Sequence, residues 1–257
     1  NVGACATFLY NLRQGISDIR AGNCRVAVIG SSEAPITPEV IEGYRTMGAL
    51  AEDEALIKLD GGTFETPDHT RACRPFGENC GFTLAEASQF VVLFDDALAL
   101  ELGAQIYGSV ADVFVNADGF KKSIPGPGIG NYLTLGKAMG SVRAILGEQA
   151  LKHHTYIQAH GTGTPQNRVT ESHIFDQLAQ AFGIQDWPIT AIKAFVGHSL
   201  ACASGDQIIA ALGVWHDHII PGIKTTGAIA EDVHQSNLDF LLEHRTVDPG
   251  HLQATFI

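Results

Sequence analysis

The chain reads as an α/β protein. Short β-branched runs alternate with helix-periodic stretches, glycine and small residues punctuate the turns between them, and 45% of the 257 residues are apolar, enough for a substantial core. Residues 6–21 place Phe8, Leu9, Leu12, Ile16 and Ile19 close to one helical face, and Gly22-Asn23 supplies a stop, so a helix is expected here. Arg25–Gly30 then reads as a strand of buried type. Residues 31–80, rich in Pro, Gly, Thr and acids, are expected to form loops with short helices near Pro38–Met47 and Glu52–Ile57. Phe82–Phe94 leads through a strand into a helix over Asp95–Leu102, and Ile106–Val115 reads as another strand. Asn116–Asn131 is rich in glycine and proline and is expected to be a long irregular loop bordering a site. Helices are then expected at Leu133–Gln149, Thr170–Phe182 and Leu200–Val214, and strands at Thr155–Gln158, Ile189–Ile192 and Ala254–Ile257.

Composition narrows the function. A formal net charge of -12 argues against nucleic acid and anionic membranes as partners. No apolar run reaches the roughly 18 to 20 residues of a membrane span, and the start has no signal-like character, so a soluble protein is expected. Five cysteines, scattered and without ligand spacing, suit a reducing cytoplasm better than a disulfide framework or a zinc site. Asn1 opens directly before a motif that should follow a strand, and Ala254–Ile257 stops inside a strand, so both ends read as cut.

Three segments carry residues suited to acyl-thioester chemistry. Cys5, in Gly-Ala-Cys-Ala-Thr, precedes a helix, whose N-terminal dipole and free N–H groups would favour a thiolate and help hold an oxyanion. A free cysteine taken alone is more often an inert packing residue. His160-Gly-Thr-Gly-Thr-Pro165 changes that balance: Gly161 and Gly163 let backbone approach a ligand, and Thr162 and Thr164 offer hydroxyls to an extended polar arm. Lys193 and His198 bracket Ala-Phe-Val-Gly at a strand-to-helix turn, where Lys193 is expected to be held inward and Glu171 is an acid that could pair with it in a structural role. Cys5 and His198 each sit in a small-residue turn feeding a helix, as two duplicated halves building one site would arrange them. Cys24, Cys73, Cys80 and Cys202 read as packing residues, and His153, His154, His216 and His218 as surface or helix-end residues. Gly126-Pro-Gly-Ile-Gly130 lacks the Lys-Ser/Thr of a phosphate loop, so nucleotide binding is rejected.

In these motifs the chain resembles the β-ketoacyl-acyl-carrier-protein synthases, the condensing enzymes of the thiolase superfamily. Gly3–Thr7 is similar to their nucleophile motif, Arg74-Pro-Phe with Gly81-Phe82 and Glu86 to their central segment, His160–Pro165 to HGTGTP, and Lys193 with Gly197-His198-Ser199 to K...GHS. The resemblance implies a thiolase-like fold, layered αβαβα with two mixed sheets, only partly contained in this chain: residues 1–115 as the remainder of the N-terminal half with the central segment, and residues 116–257 as the C-terminal half, truncated at its end. It implies an acyl-Cys5 intermediate, with His160 and His198 supporting decarboxylation of a malonyl thioester, Lys193 tuning both histidines, and Thr162 and Thr164 on the pantetheine arm. It further implies no metal or bound cofactor, substrates carried on the phosphopantetheine of an acyl carrier protein or on CoA, acyl-CoA as a primer, a homodimer, and a basic patch for the acidic carrier, to which Arg71 and Arg74 are assigned. A Gly-Phe-Gly-Gly-type oxyanion loop would follow Ile257. Departures at Arg168, where the family is often acidic, at Gln166–Ser172 and at Cys80–Ala87 point to a divergent subgroup. A non-catalytic chain-length-factor-like subunit is disfavoured by the presence of Cys5, and a thiolase by the lack of a second cysteine in a glycine-rich terminal motif.

Overall fold

Two hydrophobic periods, 3.6 in the helices and 2 in the strands, bury complementary faces and stack the chain in layers. The computed structural model describes residues 2–62, 66–118 and 128–257. Helix α1 (Thr7–Arg20) turns Phe8 and Leu12 onto Ile29 of β1 (Val26–Glu33), and β1 pairs antiparallel with β2 (Ala87–Phe94). The intervening segment holds α2 (Pro38–Thr46), capped by the Thr37 side chain, and α3 (Asp53–Leu59); α4 (Asp96–Glu101), capped by Asp95, follows β2.

The second half builds on a parallel four-stranded sheet of order β6-β4-β3-β8, formed by Leu238–Phe240, Trp187–Thr190, Thr155–Gln158 and Ala254–Phe256. Helices α5 (Ile129–Leu146) and α7 (Pro165–Phe182) cover one face, where Met139, Val142, Ile174 and Phe175 meet Ile157, Trp187 and Ile189. Helix α9 (Ala203–Asp217) covers the other, with Val214 against Tyr156. Short α6 (Glu148–His153), α8 (Lys193–Val196) and the β5–β7 pair (Ile219–Ile220 with Arg245–Thr246) complete the described elements. Because α9 also packs on α1 and β2, α1 and α9 form a shared middle layer between the two sheets. Gly205 of α9 permits this approach: a Cβ there would lie 2.9 Å from the Phe8 ring and 2.7 Å from Gln89 Cβ.

The α/β alternation and the helices over residues 6–21, 38–47, 52–57 and 95–102 stand as expected. Several boundaries and pairings differ, among them the strand expected at Ile189–Ile192, which forms two residues earlier as Trp187–Thr190. The strand at β1 is not buried on both faces: Val28 and Phe90 are 67% and 57% exposed on the outer side of the antiparallel pair. Ile106–Val115 is no strand, since no partner among the described residues supplies a ladder and Tyr107 is 64% exposed. The helix expected from Leu133 starts at Ile129, breaks at Gly147, whose φ is +91°, and resumes as α6. Helix α7 starts five residues before Thr170, because Thr164 caps it and Pro165 occupies its first turn. Finally, Leu200–Cys202 is a 3-10 turn ahead of α9. Of the expected loop Asn116–Asn131, residues 119–127, Gly126 and Pro127 among them, lie outside the described residues, while Gly128 is the N-cap residue of α5 and Ile129–Asn131 are its first residues rather than loop. Among the described residues no helix is long and apolar enough to cross a membrane.

Candidate active site

The turn that carries Cys5 and the turn that follows His198 are built alike. Ala4–Ala6 is a 3-10 turn entered through Ala4 at φ +48° and continued by α1, and Leu200–Cys202 is a 3-10 turn entered through Leu200 at φ +50° and continued by α9. The two turns pack against each other. Each left-handed non-glycine residue costs on the order of 1 kcal/mol and persists because its surroundings fix it. At the first turn, the Thr7 hydroxyl accepts from Gly3 N at 2.9 Å and donates to the Ala4 carbonyl at 2.7 Å, closing the turn around Cys5.

Cys5 Sγ lies 3.1 Å from Nε2 of His198, 193 residues away. His198 is buried and strapped by backbone: its N–H donates to Thr83 O at 2.7 Å and its carbonyl accepts from Ala85 N at 3.1 Å. Its Nδ1 accepts from Leu200 N at 3.3 Å, which places the imidazole proton on Nε2. The Phe82 ring meets it edge to face with centroids 5.2 Å apart.

His160 stands perpendicular to His198, with ring centroids 5.2 Å apart and an interplanar angle of 88°. Lys193, 1% exposed, reaches from α8 to His160 Nδ1 at 3.2 Å and to the His160 carbonyl at 2.7 Å. An ammonium can only donate, so His160 also carries its proton on Nε2. Glu171 on α7 does not form an ion pair with Lys193. Its carboxylate instead accepts the backbone N–H of His160 at 2.5 Å and of Gly161 at 2.8 Å, tying the loop to the helix. Gly161 has φ +47°, and a Cβ there would sit 2.6 Å from Ala191 Cβ, so only glycine fits.

Burial decides the charge states. It lowers His160 well below its ordinary range and pushes His198 down to about 3, the Lys193 charge adding to both effects. Both imidazoles are therefore neutral at physiological pH. Burial also lowers Lys193, against the opposing fields of Glu171, Cys5 and Cys73, and raises Glu171, against its N–H donors and Lys193. The thiolate expected at Cys5 is not favoured: burial raises the thiol above its ordinary value and outweighs the lowering by Lys193 and by the Cys5 backbone N–H. Cys73, against the same ammonium, is pushed up to about 12 by burial.

One donor atom each of Cys5, His160 and His198 lies within 4.8 Å of the others. A metal ion would need lone pairs on the imidazole nitrogens that face it, whereas the Leu200 and Lys193 donors leave protons on both Nε2 atoms. Two neutral N–H donors beside a sulfur suit a developing oxyanion better than a cation.

The remaining expectations divide. Thr162 and Thr164 are buried, with hydroxyls 3.0 Å apart, and Thr164 Oγ1 also accepts from Asn167 N as the cap of α7. Arg74 is no part of an exposed basic patch: it is buried and forms a two-pronged ion pair with Asp60 at 2.9 and 2.8 Å, while Arg71 is exposed. Cys73 and Cys202 are buried packing residues, whereas Cys24 and Cys80 are half-buried. Sequence reasoning gave no role to Phe82 or to the Leu200 N–H. Phe82 was visible only as part of Gly81-Phe82, and no side-chain pattern signals a backbone donor.

Two family models match the chain: Beta-ketoacyl synthase, N-terminal domain, over residues 1–99, and Beta-ketoacyl synthase, C-terminal domain, over residues 107–225. The chain is 61% identical over 236 residues to "Beta-ketoacyl-[acyl-carrier-protein] synthase FabY" of Pseudomonas aeruginosa, covering 92% of this chain and 37% of that relative. It is 29% identical to "3-oxoacyl-[acyl-carrier-protein] synthase 2" of Synechocystis sp., over 87% of this chain and 50% of that one. The crystal structure of the noncanonical ketosynthase FabY from P. aeruginosa superposes with a TM-score of 0.95 at 57% identity, over 99% of this chain and 39% of that one. A type II polyketide synthase acyl-carrier protein in complex with its ketosynthase gives a TM-score of 0.76 at 25% identity, over 95% of this chain and 55% of the matched chain. The chain thus spans well under two thirds of the length of these relatives, and its fold is the thiolase-like one of the ketosynthases. With both domain models matched in order and the paired cysteine and histidine turns between them, this chain belongs to the β-ketoacyl synthase family.

Proposed function

We propose that this chain carries the core of a condensing acyltransferase, a β-ketoacyl-acyl-carrier-protein synthase that performs decarboxylative Claisen condensation in fatty acid or polyketide synthesis. The observation that supports it most is the Cys5 Sγ to His198 Nε2 approach of 3.1 Å, with a second neutral imidazole perpendicular to the first and a buried ammonium behind it.

In the first half-reaction Cys5 sulfur attacks the acyl thioester carbonyl. The carbon–sulfur bond to the pantetheine breaks, and the departing thiolate takes the Cys5 proton. In the second, the malonyl C2–C3 bond breaks, carbon dioxide leaves, and the electron pair passes into an enolate whose oxygen accepts from the two Nε2–H donors. C2 then attacks the acyl-Cys5 carbonyl, the C–Sγ bond breaks, and the β-ketoacyl product leaves a Cys5 thiolate that regains a proton from solvent. Neutral imidazoles suit this role, since a donor is needed and no charge has to be desolvated.

Acyl carrier protein is the partner of this reading, in keeping with the ketosynthase complex among its structural neighbours, and acyl-CoA is a candidate primer. The phosphopantetheine is the only prosthetic group it requires, entering past Thr162 and Thr164. A cytoplasmic homodimer, divided into halves near residue 115, completes the proposal. The test is alkylation of the full-length protein by iodoacetamide, wild type against Cys5→Ala, with mass spectrometry and malonyl-thioester-dependent release of carbon dioxide. Selective labelling of Cys5 and loss of condensation in the variant are expected. An inert Cys5 together with a variant that still condenses would overturn the assignment.

A further inference from the structure

Arg168 occupies the first turn of α7, where a cation opposes the helix dipole, yet it is buried. All five of its N–H groups are engaged. Nε and Nη2 donate to the Asp232 carboxylate at 2.8 and 3.0 Å, Nη1 and Nη2 to the Glu78 carboxylate at 3.2 and 3.3 Å, and Nη1 also to Gly77 O at 3.0 Å, with Asn79 Oδ1 at 3.5 Å. A lysine could not make these planar, paired contacts.

The two bodies joined by this side chain enclose the His160 loop. On one side is α7, whose Thr164 caps it and whose Glu171, three residues past Arg168, holds the His160 and Gly161 N–H groups. On the other is the Cys73–Gly81 segment, where the Cys73 thiol faces Thr162 O at 3.7 Å and Gly81 N donates to Gly163 O at 3.2 Å. That segment contains Phe76 at φ +60°, a left-handed conformation a bulky residue adopts only when held. His198, by contrast, is strapped by Thr83, Ala85 and Leu200, none of which touches Arg168.

We propose that the Arg168 clamp on Glu78 and Asp232 is a positioning device for His160, and that it supports the decarboxylating half-reaction selectively over acylation of Cys5. The inference rests on the condensing-enzyme reading above. Releasing the clamp frees the Cys73–Gly81 wall from α7 and lets the loop carrying His160 drift, while the Cys5 turn and His198 keep their own supports. A displacement of about 1 Å at a reacting group costs up to roughly 100-fold in rate.

The test uses the full-length protein and measures two rates separately: acyl transfer to Cys5 from an acyl thioester, read by intact mass, and carbon dioxide release from a malonyl thioester. In Arg168→Gln, acylation is expected to stay within about threefold of wild type while carbon dioxide release falls at least tenfold. Arg168→Lys should recover only part of the loss. Should Arg168→Gln not fold, the pair Glu78→Gln with Asp232→Asn releases the clamp from its exposed side and should show the same split. Equal loss in both half-reactions, or no loss in either, overturns the proposal. A wild-type protein that never acylates Cys5 would instead overturn the condensing-enzyme reading.

Discussion

Lys193→Met removes the buried ammonium while filling nearly the same volume. The wild-type ammonium donates to His160 Nδ1 at 3.2 Å and to the His160 carbonyl at 2.7 Å, both inside the protein. Hydrogen bonds to charged groups contribute about 1.5–3 kcal/mol each. If the Nδ1 contact acts on the enolate through His160, its loss corresponds to roughly a 10- to 150-fold fall in kcat. The fold should survive, because Met has no charge to desolvate and Glu171 keeps its two N–H donors. A second effect has a definite sign. The Lys193 charge lowers both histidines, so its removal raises them, and the acid limb of the pH–rate profile should move upward from a wild type in which His198 sits at about 3. The assay is steady-state condensation of the full-length protein from about pH 3 upward, with a thermal melt at each pH as control. A variant within about twofold of wild-type kcat, with an unmoved acid limb, would refute the role given to Lys193.

Gly161→Ala forces a side chain into the left-handed region at φ +47°, 2.6 Å from Ala191 Cβ, at a cost of about 1–2 kcal/mol for the conformation and about 1–3 more for overpacking; urea denaturation should show a clearly lowered midpoint. Thr164→Val removes the side-chain cap of α7, about 1 kcal/mol, and should lower the melting temperature by a smaller amount. Because burial raises the Cys5 thiol, its iodoacetamide rate should still be climbing as pH passes about 9, and a plateau below pH 8 would show a stabilised thiolate instead.

Local chemistry made much of this protein legible in its sequence. The apolar period of Phe8, Leu12 and Ile16 and the strand run at Val26–Gly30 act over a few residues, and the structure keeps both. The candidate site residues were legible too, because glycine and threonine around His160, and glycine before His198, belong to turns that demand those residue types. Other features depend on distant segments. Nothing local tells whether Ile106–Val115 finds a ladder partner, and among the described residues it finds none. The burial that raises Cys5 despite its place at a helix start comes from elements far along the chain. Arg74 carries the same charge on a surface patch or in a buried pair, and only the position of Asp60 decides. Likewise, Arg168 stood out in the sequence as an unusual residue, but its meaning came from Glu78 and Asp232, 90 and 64 residues away. Side-chain chemistry is local, so the candidate groups are legible residue by residue; their charge, tautomer and 3.1 Å encounter were decided only by tertiary packing, since these depend on burial and on neighbours that the chain brings in from afar.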